Sequence, residues 1–539
     1  MSTSTRMARP STRTPANALM LLLVASMIVG SAAFAAPAAT STDVLAGLPP
    51  FRLGNEVLLA RYRHLVADRR VGLITNQTGV DSQGRSLIDI LATDPGISLA
   101  ALYAPEHGID GQALAGEYVS SYTHPELGIP VYSLYGATRM PTPAMLEGID
   151  VLLYDIQDIG ARTYTYISTL NYAMRAAQTA GIPVVVLDRP NPLGCTTVEG
   201  PVLEDEYKTF VGVDNLPMAH GMTVGELSQY FNRLIAADLT VVPMEGYSRQ
   251  MIFQDTGLAW VPSSPNVPDL DSVFGYMATG LGEGTGIYQQ DKFKWIGGRG
   301  IDPQLFAYWL LGPDLPGVYF VPETIGGVGG VRLLITDYRT FNPAKTGLYA
   351  LAYAKRLTDF AVPRSGSGPA AMVMFDKVMG TNRVGQWLEA GLSPREIEAR
   401  YAQELAAFKT TRERYLIYGD GSRPGQVTVV ANNVVLHFDS PPYIDANNRT
   451  MVPVRAIGEA LGAELAWDDV QRVVTMVRGE LKVTLRIDST LAIVNDRAVF
   501  MDTTAVIRNE RTMVPARYVS ELLGCIVEWD GEHYIVTIR

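Results

Sequence analysis

Short, continuous apolar runs alternate with amphipathic helical stretches over most of the chain. Four such runs span residues 71–75, 99–103, 151–154 and 184–187. Runs this short and apolar at every position are typical of strands that a parallel sheet buries on both faces. A helical stretch at residues 168–180 closes with Gly181, a residue common just past helix ends. The alternation predicts an α/β fold built on a Rossmann-like parallel sheet.

Each of the four apolar runs leads into a polar cluster. The clusters contain Asn76, Glu106, His107, Asp155, Asp158, Asp188 and Arg189. In open α/β sheets ligands bind at the carboxyl ends of the strands, so we expect these side chains to meet at one edge. The alternative is that each Asp or Asn merely caps the helix that follows it. Four clusters together favour a functional site.

The motifs that are missing narrow the chemistry at this edge. The sequence has no GxGxxG or Walker motif, no HExxH, no CxxC and no GxSxG, so it predicts no nucleotide, metal or cofactor and no serine nucleophile. The formal net charge of -11 disfavours nucleic acid as a partner. Carboxylate chemistry is left, and it suits the cleavage of glycosidic bonds.

Residues 425–539 differ in character and contain an internal repeat. The motif RTMVPVR at residues 449–455 returns as RTMVPAR at residues 511–517, each followed by a short amphipathic helix ending near Gly462 or Gly524. Alternating runs at residues 473–477, 481–487 and 534–538 indicate strands. The repeat predicts an α+β module made of two similar units.

This tail resembles the stalk-type module named after the N-terminal domain of copper amine oxidases. The motif that occurs twice makes the resemblance specific. The tail holds only His437 and His533, with no cluster of ligands near either, so it does not indicate a copper site. We expect an attachment or spacer module, with attachment to the cell envelope as one role.

The N-terminus reads as a secretory signal peptide over residues 1–35, followed by a small, polar linker at 36–45. Arg6, Arg9 and Arg13 precede an apolar run at residues 19–29, and Ala33-Phe34-Ala35 is a small-x-small cleavage site. An uncleaved anchor is the alternative. The signal predicts a secreted or envelope-associated protein with no membrane span after cleavage.

The main domain, from about residue 50 to 415, resembles the secreted exo-β-N-acetylmuramidase (NamZ-like) family of glycoside hydrolases. The resemblance rests on long, ordered motifs that include LITNQTGV (73–80), APEHGIDG (104–111), GIPVYSLYG (128–136), DVLLYDIQDIGARTYTYISTL (150–170), LDRPNPLG (187–194) and LPMAHGMTVGEL (216–227). It implies release of terminal N-acetylmuramic acid from the non-reducing ends of peptidoglycan fragments. It also implies a Rossmann-like domain, placed at residues 46–265, and a smaller α/β domain at 266–416 that completes the cleft.

Glycoside cleavage needs a proton for the leaving oxygen and a negative charge or nucleophile near the anomeric carbon. Glu106 is the expected general acid, and His107 would orient it or a water. Asp155 and Asp158 are candidates for the second role. The acetamido oxygen of the substrate could serve instead, with a carboxylate that only orients it.

Substrate recognition calls for a guanidinium, because muramic acid carries a lactyl carboxylate that Arg can bind bidentately. Arg162 and Arg189 are the candidates, with an internal ion pair as the alternative for each. Tyr164 and Tyr166 would present a face to the sugar if the segment is extended, and core packing is the alternative. The other predicted substrate-binding residues are Asn76, Gln157, Asp188, Asn191, His220 and Glu283.

The sequence departs from the family at Asp110, where Arg is frequent, and at residues 286–289, where Asn-Ile-Ser is more usual. Two other functions stay open. One is a non-catalytic, peptidoglycan-binding envelope protein that keeps the cleft. The other is an exported esterase or amidase, although no nucleophile or metal set is visible for it. Pairing between Cys195 and Cys525 is also left open.

Overall fold

The structure is a computed structural model. It describes residues 50–539 except residues 313, 420–427, 433, 437, 439, 441, 446, 448, 509–510 and 531–534. The predicted signal peptide, the linker, His437 and His533 therefore lie outside the described residues. Within those residues, no helix combines the length and apolar character needed to cross a bilayer. Cys195 and Cys525 are both described, and both are buried free thiols.

A seven-stranded sheet organises the first half of the chain. Its strands are β1 (Arg70–Thr75), β2 (Ser98–Ala104), β3 (Tyr122–Thr123), β4 (Pro130–Ser133), β5 (Val151–Asp155), β6 (Val184–Leu187) and β7 (Leu239–Val242). They lie in the order β3-β4-β2-β1-β5-β6-β7. All neighbours are parallel except the edge pair of β3 and β4. The predicted Rossmann-like α/β fold is confirmed.

Helices cover both faces of this sheet. They are α1 (Gly54–Arg61), α2 (Leu87–Thr93), α3 (Pro143–Leu146), α4 (Tyr166–Ala180) and α5 (Val224–Ile235). Alternate residues of each central strand enter different apolar clusters: in β5, Leu152 and Tyr154 pack into one, and Val151 and Leu153 into the other. Burial on both faces is why these strands read as continuous apolar runs.

The strand order reverses beside β1. The chain adds β2 and then β4 on one side of β1, and returns to place β5 on its other side. The carboxyl ends of β1 and β5 therefore flank a topological switch point, where α/β sheets form their ligand crevice. The loops after β2, β5 and β6 open onto the same edge.

The smaller unit carries an antiparallel sheet in the order β10-β11-β9-β8. Its strands are β8 (Ile287–Gln290), β9 (Trp295–Gly298), β10 (Val318–Ile325) and β11 (Val328–Ile335). Its helices are α6 (Leu270–Thr279), α7 (Pro303–Leu310), α8 (Pro343–Thr358), α9 (Met374–Met379), α10 (Arg383–Glu389) and α11 (Pro394–Arg412). One apolar cluster runs from Ile74 of the parallel sheet to Phe408 of α11, so both units share a core.

The tail is β-rich and has an apolar cluster of its own. Its elements are β12 (Thr428–Ala431), β13 (Val434–Val435), β14 (Tyr443–Ile444), β15 (Thr450–Pro453), α12 (Val454–Ala460), β16 (Glu464–Asp468), β17 (Val473–Arg478), β18 (Leu481–Arg486), β19 (Leu491–Val494), β20 (Arg497–Phe500), β21 (Val506–Arg508), β22 (Arg511–Pro515), α13 (Ala516–Leu522), β23 (Val527–Asp530) and β24 (Ile535–Ile538). Strands β15 and β22 carry the two copies of the repeat motif and pair antiparallel, with Val452 opposite Val514. The predicted α+β module with an internal repeat is confirmed.

Candidate active site

Glu106 lies in the loop after β2, and its carboxylate is fixed by two donors. The Gly116 backbone N–H donates to Oε1 at 2.9 Å, and the Thr165 hydroxyl donates to Oε2 at 2.5 Å. Thr165 is the N-cap residue of α4, so the loop after β5 meets the loop after β2 at this carboxylate. Glu106 is 9% exposed, which leaves it at the edge of the core rather than inside it.

Two aromatic residues and an arginine, Tyr135, Phe210 and Arg139, form a cluster near Glu106. Burial raises the pKa of the half-buried Tyr135, and the charge of Glu106 and a hydrogen bond with it raise that pKa further, while Arg139 lowers it. The guanidinium carbon of Arg139 lies 4.3 Å from the centre of the Tyr135 ring and 4.5 Å from that of Phe210. Tyr118, which is 62% exposed, belongs to the same loop as Gly116.

His107 has a left-handed backbone, with φ of 72°, and begins a tight loop with Gly108 at φ of 81°. Its Nδ1 lies 2.7 Å from the Ala113 carbonyl oxygen, which assigns the ring proton to Nδ1. Nε2 is then the nitrogen that can accept a hydrogen bond. The orienting role of His107 stays a prediction.

Asp155 and Arg189 form a buried, two-point ion pair. Arg189 Nε donates to Asp155 Oδ1 at 2.5 Å, and Nη2 donates to Oδ2 at 3.0 Å and to the Val80 carbonyl at 2.7 Å. Asn55 Nδ2 also donates to Asp155 Oδ2, at 3.1 Å. This geometry favours the internal ion pair over substrate binding for Arg189, and a structural role for Asp155.

Asp158 has a different environment, because one of its oxygens has no partner. The Gly160 N–H donates to Oδ2 at 2.8 Å, whereas Oδ1 is buried and unpaired among the described residues. His220 Nε2, also unpaired, lies 3.9 Å from Oδ2. Burial raises the pKa of Asp158 to about 7 and lowers that of His220 to about 3. The pair is therefore a neutral imidazole facing a carboxyl that can hold a proton near neutrality.

Arg162 is buried and bound by main-chain carbonyls. Its Nη1 donates to the carbonyls of Pro201 and Leu216 at 2.9 and 2.8 Å, and its Nη2 donates to that of Val378 at 2.7 Å. Burial lowers its pKa to about 9. The pairing with a neighbouring Asp, expected as the alternative, is absent from the described contacts. Arg162 instead joins the parallel-sheet unit to the smaller one, and both of its Nη atoms already donate to main-chain carbonyls. This favours a structural role over substrate binding.

The expected extended segment at Tyr164 and Tyr166 is wrong. Thr165 has helical backbone angles, and Tyr166 is the first residue of α4. The two rings meet edge to face with centres 4.9 Å apart, and the hydroxyls bond to the Ser263 hydroxyl and carbonyl. Tyr166 is fully buried. Both rings are buried in the core, which favours the packing alternative.

Four of the other predicted residues hold the loops at this sheet edge. Asp188 accepts from the backbone of Gly225 and the hydroxyls of Thr223 and Tyr418, and thus caps α5. The side chains of Asn76, Gln157 and Asn191 make their hydrogen bonds within the same loops. The capping alternative therefore describes Asp188 best. The Nδ2 of Asn76 stays buried without a partner among the described residues.

Glu283 and Asp110 are exposed and lie in tight turns. Glu283 lines a cavity of about 150 Å³ with Gly282 and Gly284, as the flanking glycines predicted. Asp110 Oδ1 accepts from the backbone of Gln112 at 3.1 Å. Neither residue forms a hydrogen bond with Glu106 among the described contacts. Burial raises the pKa of Tyr276 to about 12, and the charges of Glu106 and Glu283 contribute smaller increases.

The groups that surround Glu106 were missing from the sequence prediction. Thr165 and Tyr135 lie inside two of the family motifs, TYTYISTL and SLYG. Nothing in their residue types distinguishes them from other Thr and Tyr residues of the chain, so the sequence did not mark them as site residues. Arg139 follows the second motif by three residues, in a loop that no strand or helix pattern marks. Only the fold brings these loops to the carboxylate.

Three family models match the chain. The model described as exo-beta-N-acetylmuramidase NamZ, N-terminal, covers residues 71–271, and its C-terminal counterpart covers residues 274–418. A copper amine oxidase N-terminal domain model covers residues 430–538. The chain is also 42% identical over 417 residues to the peptidoglycan beta-N-acetylmuramidase NamZ of Bacillus subtilis (strain 168). The alignment covers 74% of this chain and 99% of that protein.

Solved structures agree with this fold. A DUF1343 family protein (BF0371) from Bacteroides fragilis NCTC 9343 superimposes with a TM-score of 0.60 at 36% identity, covering 68% of this chain and 99% of its own. A second one from that organism (BF0379) gives 0.51 at 26% identity and covers 69% of this chain and 100% of its own. The chain therefore belongs to the NamZ family of exo-β-N-acetylmuramidases, which are glycosidases.

Proposed function

We propose that this chain removes terminal N-acetylmuramic acid from the non-reducing ends of peptidoglycan fragments, with Glu106 as the proton donor. The match to the B. subtilis peptidoglycan beta-N-acetylmuramidase over 99% of its length supports the reaction. One observation carries the role of Glu106. It is a carboxyl at the carboxyl edge of the sheet, held by two donors and paired with no cation among the described residues.

In the proposed reaction the Glu106 carboxyl protonates the glycosidic oxygen as the bond from that oxygen to the anomeric carbon breaks. The bonding electrons stay on the departing oxygen, and the sugar becomes oxocarbenium-like. The donors from Gly116 and Thr165 then bind the carboxylate that the proton leaves behind. A water adds its oxygen to the anomeric carbon, and its proton returns to Glu106.

Asp158 is our preferred candidate for the second carboxylate. Asp155, the other candidate, has both oxygens engaged by Arg189 and Asn55. Asp158 keeps Oδ1 unpaired among the described residues, and because burial raises its pKa to about 7, it is ionised for this role only above that pH. It could act on the anomeric carbon directly, or accept the acetamido N–H while the acetamido oxygen attacks.

Turnover of a chromogenic β-N-acetylmuramide, beside the matching β-N-acetylglucosaminide, tests the reaction. The protein used should lack residues 1–35. We expect cleavage of the muramide and little cleavage of the glucosaminide, which has no lactyl ether. Cleavage of neither, by a folded protein that still binds muramyl fragments, would overturn the enzyme in favour of the non-catalytic binding protein. Hydrolysis of acyl esters alone would favour the other hydrolase class.

We also propose that the chain is exported and that its tail holds it at the cell envelope. The basic start, short apolar run and cleavage site at residues 1–35 support export. The tail's similarity to a stalk-type module over residues 430–538 supports attachment. The mass of the protein recovered from the medium or wall should correspond to a chain that starts after Ala35. A full-length chain in the membrane fraction would show an uncleaved anchor instead.

A further inference from the structure

Recognition of muramic acid needs a cation that is not already committed. Both arginines expected for this purpose are engaged, Arg189 by Asp155 and Val80, and Arg162 by three main-chain carbonyls. The chain as a whole carries a formal net charge of -11, so an anionic ligand depends on a local positive group.

Arg139 meets this requirement. It is exposed, and among the described residues no carboxylate pairs with it. Its guanidinium carbon is 4.3 Å from the ring centre of Tyr135 and 4.5 Å from that of Phe210, and these two rings are themselves 5.9 Å apart. Contacts with ring faces hold a guanidinium in place while its in-plane N–H groups stay free to donate.

The position of Arg139 relative to Glu106 fits the substrate. Tyr135 lies near both residues: the charge of Glu106 acts on the Tyr135 hydroxyl and raises its pKa, after burial, and the Tyr135 ring lies against Arg139. In N-acetylmuramic acid the lactyl ether stands on O3, the exocyclic oxygen of the ring carbon C3, which is two carbons along the ring from the anomeric centre. A proton donor and a carboxylate reader for one sugar should therefore be near neighbours, as these two residues are.

We infer that Arg139, held against the rings of Tyr135 and Phe210, is the subsite that binds the lactyl carboxylate of the terminal N-acetylmuramic acid. This inference rests on the proposed function. The planar guanidinium offers two parallel N–H donors to a carboxylate, which a neutral N-acetylglucosamine lacks. Arg139 thus sets the selectivity of the site, and it takes no part in bond cleavage.

The test compares Arg139→Gln with the wild type on two chromogenic substrates, the β-N-acetylmuramide and its lactyl methyl ester. We expect Arg139→Gln to lower kcat/KM on the muramide by about 10- to 100-fold, mainly through KM. On the ester, which has no carboxylate, the substitution should change kcat/KM little. The kcat/KM of Arg139→Lys on the muramide should lie between those of the wild type and Arg139→Gln. Lysine keeps the positive charge but lacks the two parallel N–H donors of the guanidinium.

Arg175→Gln is the matched control, since it removes one exposed arginine from α4 that bonds to Asn171. An equal loss on both substrates, or no loss on the muramide, would overturn the inference and leave the proposed reaction intact. If the wild type cleaves neither substrate, the proposed function fails first. Calorimetric binding of free N-acetylmuramic acid and its methyl ester then tests Arg139 separately: loss of acid binding alone in Arg139→Gln supports the subsite, and unchanged binding overturns it.

Discussion

The guanidinium of Arg189 bonds to both carboxylate oxygens of Asp155 at the end of β5, with donor-to-acceptor distances of 2.5 and 3.0 Å. Asn55 of α1 completes the arrangement by donating to Asp155 and to the Val80 carbonyl. The pair therefore ties the loop after β6 to the switch point and to the first helix. Both residues are predicted site residues, and their pairing favours a structural role for them at the edge on which the site lies.

Arg189→Met should destabilise the protein by about 3–5 kcal/mol, because it leaves the fully buried Asp155 carboxylate without its cation. Urea unfolding of the chain without its tail measures this. The double variant Asp155→Leu with Arg189→Met should recover part of the loss, since no charge is then left buried. Wild-type stability in Arg189→Met, together with lost selectivity for muramides, would instead assign Arg189 to the substrate.

Asp158→Asn should remove a pH dependence of stability. Burial raises the Asp158 pKa from 3.8 to about 7, so between these pH values the folded state keeps a proton that the unfolded state has released. The stability that this carboxyl contributes in acid is lost as the pH rises through 7. The free energy of unfolding of the variant minus that of the wild type should therefore grow between pH 4 and pH 8, by up to about 4 kcal/mol.

Asp89→Asn, which removes an exposed carboxylate in the first turn of α2, is the control for this experiment. A difference that stays constant or shrinks with rising pH would show that Asp158 is ionised in the folded state throughout this range.

Thr165→Val should lower kcat on the muramide by about tenfold, because the hydroxyl that donates to Glu106 Oε2 is lost while the shape is kept. Thr165→Ser restores the hydroxyl and should recover most of the activity. Steady-state kinetics and thermal unfolding separate the two effects. If Thr165→Ser does not restore activity and both variants lose stability, Thr165 serves only as the N-cap residue of α4.

Removal of the tail after Arg423 should leave kcat/KM on small chromogenic substrates unchanged. The tail has its own apolar cluster, and the catalytic unit has its own as well. The truncated protein should also bind less to isolated cell walls, as measured by sedimentation. Loss of activity in a folded truncation would show that the tail shapes the active site, and equal wall binding would remove the attachment role.

The sequence predicted the scaffold well, since burial on both faces of a parallel sheet leaves a direct trace in the chain. Strand β5 reads as apolar at residues 151–154, and the structure begins it at Val151 and ends it one residue later, at Asp155. Gly181 ends α4 in a left-handed conformation, as its position suggested. These features depend on local pattern.

The partners of polar side chains could not be predicted in this way. Arg189 follows β6 and Asp155 follows β5, and nothing local says whether they meet each other or a substrate. Arg162 bonds to the Val378 carbonyl, far along the chain, which no motif records. Among the described residues Arg139 pairs with no carboxylate and lies against Tyr135 and Phe210, and these tertiary contacts leave no trace in the local sequence.

The most direct test of the account is the turnover of Glu106→Gln on two muramides that differ in leaving group. One is a nitrophenyl glycoside, whose leaving group needs little protonation, and the other is a muramyl disaccharide, whose leaving alcohol needs a full proton. We predict a loss on the order of 10²- to 10⁴-fold on the disaccharide and a much smaller one on the nitrophenyl substrate. Unchanged turnover of the disaccharide by the folded variant, or an equal loss on both substrates, would contradict the assignment of Glu106 as the proton donor.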